Sequence, residues 1–462
     1  MRPSPWTKFP RYGYLCNYDG ISKEETQEVV EELCKYHING LQFYDWQNSH
    51  DQPLAGTVKN PSAEWHDIAN RTVSAVTITN YINASHQKNV MACNYNLMFA
   101  AYNDYENRGI KKEWALYKDE QHQLQDFHPL PASWASNLNL MNPANTQWQD
   151  YLLAKEKDAF QVYAFDAFHV DTLGYRGTLC DYNGNQVNLV DTYTQFLNNA
   201  KAKLNKGIIM NAVDGYGAKA AAQANTDFLY TEVWPDTYYD YCSLKQAIDN
   251  NNEYSNGEKA SVLAAYMNYK VAGQPFNENA VKLTDSVIFA SGASHLELGD
   301  TGMLSSEYFP NEKMYMSDQL KSDLRSYYDF LVAYENILHE QNKQLNFNGN
   351  IDDYKVSSTG DAGTIWAFGS ENDTYQVVQM INLLSRSDAQ WRDDSWSCEN
   401  PKKINGFNVT MDYNTNKVKG VSLASPDLKG GSMLPLTYTL SNGKLQIQVP
   451  TLKYWDMILI EK

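Results

Sequence analysis

Ala167-Phe168-His169-Val170-Asp171-Thr172-Leu173, an amphipathic stretch over residues 189–204, and then Gly207-Ile208-Ile209-Met210-Asn211-Ala212-Val213 read as strand, helix, strand. Two near-continuous apolar runs joined by a helical crossover describe neighbouring parallel strands with both faces buried. The same unit repeats outward from this point. Residues 11–18, 40–46 and 89–98 precede it as strands, and residues 227–234, 261–268 and 295–299 follow it. Helical patterns fall between them. Ser22 and Glu25 have the spacing of a capping box ahead of a helix over 26–36, helical segments are expected within 62–87, and further helices over 146–163 and 317–338. Residues 100–145 form a long irregular stretch of the kind that carries function in compact domains.

Eight strands alternating with helices predict a (β/α)8 TIM barrel, an α/β fold. A doubly wound open sheet competes with it, but no glycine-rich phosphate turn follows the first strand. Beyond residue 341 the helical period is lost. Short alternating runs at 363–368, 375–381, 436–440 and 444–449, split by Asn, Asp, Gly and Ser, predict a C-terminal antiparallel β-sandwich. The expected division is a catalytic barrel over 1–340 and a sandwich domain over 341–462.

Composition narrows the function. A net charge of −17 lacks the basic footprint of a nucleic-acid binder, and no run approaches the ~20 apolar residues of a membrane span. Neither nucleic acid nor a membrane is expected as a partner. Six scattered cysteines without a CxxC pair, and histidines without ligand spacing, predict no metal and no cofactor. The 33 Tyr, 16 Phe and 11 Trp supply flat amphipathic rings that could stack on sugars, although any single ring is better explained as core filling. Met1-Arg2-Pro3-Ser4-Pro5-Trp6 has no apolar run after its charge, so no signal peptide is read there.

Barrel enzymes place their chemistry at the C-terminal ends of the strands. In this sequence those ends carry Asn17, Asp45, Trp46, Asn94, Tyr95, Asp171, Asn211, Asp214, Glu232, Trp234, Tyr266, His295, Glu297 and Asp300. The inventory is carboxylates, amides and aromatics, with no Ser–His–Asp set. Acetal cleavage needs two carboxyl groups, one to attack or position water and one to protonate the leaving oxygen. Asp171 closes an apolar strand, and Glu232 lies among Tyr230, Val233 and Trp234, a setting that raises a carboxyl pKa. His169 shares the strand face of Asp171 by alternation. The bland alternative for each acid is a helix cap or a solvated loop residue.

Several segments together resemble glycoside hydrolase family 66, which contains endo-dextranases and cycloisomaltooligosaccharide glucanotransferases. They are Trp6-Thr7-Lys8-Phe9-Pro10-Arg11-Tyr12-Gly13-Tyr14, Asn39-Gly40-Leu41-Gln42-Phe43-Tyr44-Asp45-Trp46, Tyr95-Asn96-Leu97, Phe168-His169-Val170-Asp171-Thr172-Leu173-Gly174 and Tyr230-Thr231-Glu232-Val233-Trp234. A last set runs from Phe289-Ala290-Ser291-Gly292 through Glu297-Leu298-Gly299-Asp300 to Glu307-Tyr308-Phe309-Pro310. The resemblance implies retaining cleavage of α-1,6-glucan (dextran, isomaltooligosaccharides), with Asp171 as nucleophile, Glu232 as acid/base and Asp45 functionally important. Asp45, Asn94, Asn211 and His295 are then expected to hold sugar hydroxyls, and Trp46, Tyr95 and Trp234 to wall the cleft. Asn17, His169 and Glu297 complete the candidate binding set. The two carboxyls should lie ~5–6 Å apart.

The family's usual N-terminal β-sandwich is not read here. The barrel insertion of many glucanotransferases is not read either, and that favours endo-hydrolysis over transglycosylation. A non-catalytic glucan-binding protein is the alternative of another class. The family habit also implies a secreted or cell-surface protein, and a monomer is expected.

Overall fold

The computed structural model describes residues 5–310, 312–340, 343–413, 417–428 and 430–462. The Met1–Ser4 start and the expected domain boundary at Gln341 lie outside the described residues. Eight strands follow in order: β1 (Tyr12–Leu15), β2 (Gly40–Phe43), β3 (Met91–Leu97), β4 (Ala167–Asp171), β5 (Gly207–Val213), β6 (Leu229–Glu232), β7 (Ser261–Ala264) and β8 (Ala293–Leu296). Each pairs in parallel with the next in the chain. Leu298–Gly299, just after β8, pairs in parallel with β1 at Tyr14↔Gly299 and returns the sheet to its first strand. One principal helix follows each strand: α1 (Lys23–Cys34), α2 (Ala75–Gln87), α3 (Thr146–Val162), α4 (Leu189–Leu204), α5 (Ala218–Gln223), α6 (Tyr241–Tyr254), α7 (Glu278–Ala290) and α8 (Asp318–Ala333). This is an α/β barrel.

Local chemistry explains the elements. The Ser22–Glu25 capping box opens α1, and Asn145, Asn277 and Ser317 accept backbone N–H groups at the starts of α3, α7 and α8. The barrel interior is aromatic: Trp6, Tyr12, Tyr14, Tyr95, Phe228, Tyr230 and Tyr266 share one buried cluster. Trp6 lies so close over β2 that a Cβ on Gly40 would stand 1.8 Å from its ring, which is why that strand opens on glycine.

Several boundaries differ from the sequence reading. Residues 62–87 are not all helical. Glu64–His66 pairs antiparallel with Thr72–Ser74 before α2 begins, burying Trp65 and Val73. β1 stops at Leu15 because the N–H groups of Cys16 and Asn17 turn to the Asp300 carboxylate. β2 stops before Asp45, whose φ of +49° is left-handed. The expected helix over 317–338 ends at Ala333, and a separate turn of helix covers Glu335–Leu338.

The C-terminal region holds two largely antiparallel sheets. One includes Lys343–Asn346, Ile365–Glu371, Tyr375–Asn382, Trp455–Glu461 and Gly420–Ala424, and the other Gly349–Ile351, Ile404–Asp412, Lys444–Leu452 and Tyr438–Ser441. Ile404–Asp412, Gly420–Ala424 and Trp455–Glu461 were not singled out in the sequence. Alternation splits the first sheet's side chains. Ile365, Val378, Met380, Ile458 and Ile460 share a cluster with Phe407, Val409 and Ile447 of the second sheet. Trp366, Phe368, Val377, Ile381, Trp455 and Met457 face the other way, into a cluster with Leu283, Phe330 and Leu331 of α7 and α8. Strands buried on both faces read as continuous apolar runs.

Candidate active site

In each barrel strand alternate side chains enter the lumen, and the parity of the last few residues decides what reaches the mouth. Tyr95 stands opposite His169 in the β3–β4 register, and Asn211 opposite Tyr230 in the β5–β6 register. These four residues, with Asp171 and Glu232 one step nearer the strand ends, line a single cleft together with Asp45, Trp234 and Tyr266.

Asn211 ties the two acids together. Its Nδ2 donates to Asp171 Oδ1 at 2.8 Å and to Glu232 Oε2 at 2.8 Å. Those two oxygens therefore lie no further apart than twice 2.8 Å. Asp171 accepts two more bonds, from the Tyr95 hydroxyl to Oδ2 at 2.6 Å and from its neighbour's N–H, Thr172, to Oδ1 at 2.8 Å. Glu232 Oε1 accepts the Trp234 indole N–H at 2.9 Å. Below them His169 lies against the Tyr95 ring and edge-on to Tyr230, with its Nδ1 3.2 Å from the Tyr12 hydroxyl.

The cleft shifts both acids in the same direction. Burial raises both. Asp171 is raised against the opposing pull of the Tyr95, Asn211 and Thr172 donors. Glu232 is pushed up to about 7, by burial first and then by the charge of Asp171, against the Asn211 and Trp234 bonds. A carboxyl near 7 beside a second carboxyl that accepts three hydrogen bonds suits a general acid beside a nucleophile. Asp45 is also pushed up to about 7 by burial, which outweighs the opposing Arg71 charge. Burial drops His169 to about 3, so its ring is neutral at ordinary pH. Arg71 braces this side of the cleft, donating to Asp67 Oδ2 and to the Phe309 carbonyl at 2.6 Å each.

Of the twelve residues expected from the sequence, seven meet in the cleft: Asp45, Tyr95, His169, Asp171, Asn211, Glu232 and Trp234. Five do not, and four of these are buried behind the barrel wall. Trp46 is buried against Trp65, Tyr163 and Phe165, its N–H bonded to Asn94 Oδ1. Asn94 points outward, donating to the buried Glu156 of α3 at 2.6 Å, as does Asn96. His295 and Glu297 lie behind the wall with Asp285 of α7: His295 Nδ1 is 2.8 Å from Asp285 Oδ1, and the Tyr328 hydroxyl of α8 donates to Glu297 Oε1 at 2.9 Å. Asn17 is exposed and meets Asp300 only through its backbone N–H. Position at a strand end placed these residues near the mouth, but their strand phase or loop path turns them away from it.

Other cleft residues escaped the strand-end search because they come from loops or from deeper in the strands. Gln42, Tyr44 and His50 come from β2 and the segment after it, His128, Leu130 and Trp134 from the irregular stretch after β3, and Glu307, Tyr308 and Phe309 from the segment after β8. His128 Nε2 lies 2.9 Å from the Tyr308 hydroxyl, and Trp134 meets the Tyr308 ring edge-on. The Glu307-Tyr308-Phe309-Pro310 segment was visible as part of the resemblance, but nothing in its spacing placed it at the mouth.

Comparison with known proteins identifies relatives of the whole chain. The chain is 29% identical to a cycloisomaltooligosaccharide glucanotransferase of Niallia circulans, over 99% of this chain and 62% of that protein. It is 24% identical to a dextranase of Streptococcus salivarius, over 99% of this chain and 64% of that protein. It thus spans less than two thirds of these curated relatives. A Paenibacillus cycloisomaltooligosaccharide glucanotransferase, solved with cycloisomaltoheptaose, superposes with a TM-score of 0.93 at 27% identity, over 99% of this chain and 85% of that one. The profile of glycosyl hydrolase family 66 matches residues 3–459, and the chain belongs to that family.

Proposed function

We propose that this chain is a retaining endo-dextranase that hydrolyses internal α-1,6-glucosidic bonds of dextran to isomaltooligosaccharides. The observation that carries the reading is the Asn211 amide held between Asp171 and Glu232, which limits their nearest oxygens to twice 2.8 Å. Retaining enzymes keep their carboxyls ~5–5.5 Å apart, and inverting ones ~6.5–9.5 Å, to admit a water. Asp171, which accepts three hydrogen bonds, attacks the anomeric carbon of the glucosyl unit ahead of the scissile bond. Glu232 gives its proton to the departing 6-oxygen. It then takes a proton from water, whose oxygen releases the sugar from Asp171 with its configuration retained. Asp45, with its carboxylate in the cleft, and neutral His169 are suited to hold hydroxyls of that glucosyl unit, and Tyr95 and Trp234 to shape the walls.

The second reading is transglycosylation by the same carboxylates, with a sugar hydroxyl in place of water, as the names of the glucanotransferase relatives suggest. The alignment with one of them runs over 617 positions for a chain of 462 residues, so that relative carries internal segments this chain lacks. A protein that only bound glucan would have no need of both acids so placed. We further read residues 1–340 as the catalytic unit and 341–462 as a β-sandwich that braces α7 and α8, and the protein as a monomer acting outside the cell, where dextran is met. No helix among the described residues is long and apolar enough to cross a membrane.

Product analysis on dextran, beside starch and pullulan, tests the assignment. Linear isomaltooligosaccharides released first as the α-anomer are expected from dextran. β-Anomeric products would overturn retention, cyclic products would favour the glucanotransferase reading, and cleavage of starch alone would overturn the linkage.

A further inference from the structure

The mechanism above uses Asp171, Glu232 and Asp45 but leaves a fourth cleft acid without a task. Glu307 comes from the segment after β8 and lines the same cleft. Its Oε1 accepts the Tyr269 hydroxyl at 2.8 Å. Its Oε2 is shielded from solvent and has no hydrogen-bond partner among the described residues. Leaving a buried acceptor unmet costs free energy, and such atoms in native proteins call for an explanation.

The support around Glu307 is built rather than incidental. Tyr269 lies under the Arg392 guanidinium, 4.6 Å from the ring centre, and meets Trp234 edge-on at 5.6 Å. Trp234 in turn donates to Glu232. Glu307 therefore stands on the acid/base side of the cleft, whereas the bonding partners of Asp171 are Tyr95, Asn211 and Thr172. Its charge also helps to push Glu232 up. In a double displacement the acid/base faces the leaving group, so the side of the cleft beside Glu232 is where the departing sugar lies.

We propose that Glu307 is a specificity residue for the leaving-group sugar, its unpartnered oxygen accepting a hydroxyl of the unit whose 6-oxygen Glu232 protonates. The proposal rests on the dextranase reading and adds to it how a sugar is preferred as leaving group. The same hydroxyl bond would hold an incoming sugar if one replaced water, so Glu307 also bears on the balance between hydrolysis and transfer.

The test compares Glu307→Gln on two substrates, dextran and an aryl α-isomaltoside whose leaving group is a nitrophenol without sugar hydroxyls. A bond to a charged acceptor accounts for about tenfold or more in kcat/KM, so dextran should lose at least that, and the aryl substrate at least tenfold less. The alkaline limb of the rate profile should also move to lower pH, because a neutral amide no longer holds the Glu232 proton on. Tyr269→Phe, which removes the tether but keeps the ring, should show the same selectivity more weakly. Equal losses on both substrates, or no loss on dextran, would overturn the proposal while leaving the dextranase reading intact. A wild-type protein that cleaves neither substrate would sink that reading, and this proposal with it.

Discussion

Two acidic groups sit a few residues from barrel strand ends and have opposite fates. Asp171 and Glu232 face the lumen, bridged by Asn211 and open to the cleft. Asp285, His295 and Glu297 lie behind the wall of β8, closed off by α7 and α8. Both groups bring carboxyls within bonding reach of a nitrogen, and burial raises carboxyl pKa values in both. The difference is strand phase. A shift of one residue exchanges the lumen for the helical layer. A residue facing the lumen at the mouth can meet substrate, whereas one facing the helices can only join elements.

The largest test of this contrast is Asp171→Gly. Removing a nucleophile should cost at least about 10⁴-fold in kcat, with the fold intact, and added azide should restore part of the rate by entering the vacated space. Circular dichroism and activity on dextran read both outcomes. Normal turnover would mean that the lumen-facing acid is not the nucleophile. Next comes Glu232→Gln, with a loss of about 10²–10⁴-fold. The wild-type rate should fall as pH rises past about 7, because Glu232 must carry the proton it donates. In the variant that limb should vanish. A limb that persists would assign it to another group, with Asp45, also near 7, the next to examine.

The hidden group should answer through stability instead. His295 Nε2 must donate to the Ala265 carbonyl at 2.9 Å, since a carbonyl only accepts, and Nδ1 then faces Asp285. Removing the ring leaves the buried Asp285 carboxyl and the Ala265 carbonyl without their partner, so His295→Ala should cost about 1–3 kcal/mol, read as a lowered denaturation midpoint. Activity per folded molecule should stay within a few-fold. A smaller effect is carried by Glu297, which is pushed up to about 8 by burial and by the Asp285 charge. The folded protein keeps a proton that the unfolded chain gives up near 4.5, so this group's contribution to stability is lost as pH rises from about 4.5 to about 8. Glu297→Gln should flatten stability against pH across that window. An unchanged slope would place the titration elsewhere.

The contrast also explains what the sequence could show. The alternation of apolar runs and helical patterns revealed the barrel, because two-sided burial of parallel strands leaves continuous apolar stretches. β5 was legible to the residue: Gly207–Val213 is apolar throughout except at Asn211, the bridging amide. The lumen acids were legible because their strands end on them. Trp46, Asn94, His295 and Glu297 looked alike in sequence, since strand phase is blurred wherever both faces are buried. Phase must be read against a fixed reference, and the Tyr95–His169 register supplies one only once the strands are paired. The rim residues His128, Trp134 and Glu307 come from segments without a period, so no pattern assigns them to the mouth. In the C-terminal region Trp455–Glu461 was missed for the opposite reason: Trp455, Met457 and Leu459 face the barrel helices while Ile458 and Ile460 face the second sheet, and no polar face remains to show alternation.

The smallest predicted effect probes the division at its weakest point. Asn17 sits just past β1, and it belonged to the expected binding set for the same reason as Asn211: an amide near a strand end. In the structure its backbone N–H, not its side chain, carries the contact that matters, a 2.9 Å bond to Asp300 Oδ2, while among the described residues its side-chain oxygen accepts only the Asp19 N–H at 3.4 Å. Asn17→Ala keeps the backbone bond and loses one long, solvent-exposed one. Stability should therefore change by no more than about 0.5 kcal/mol, and kcat/KM on dextran by less than twofold. Asn211→Ala is the matched control, since it cuts both bonds of the bridge. A tenfold fall in kcat/KM for Asn17→Ala would mean that this exposed amide reaches the bound glucan, and that the cleft extends past the lumen-facing residues toward β1.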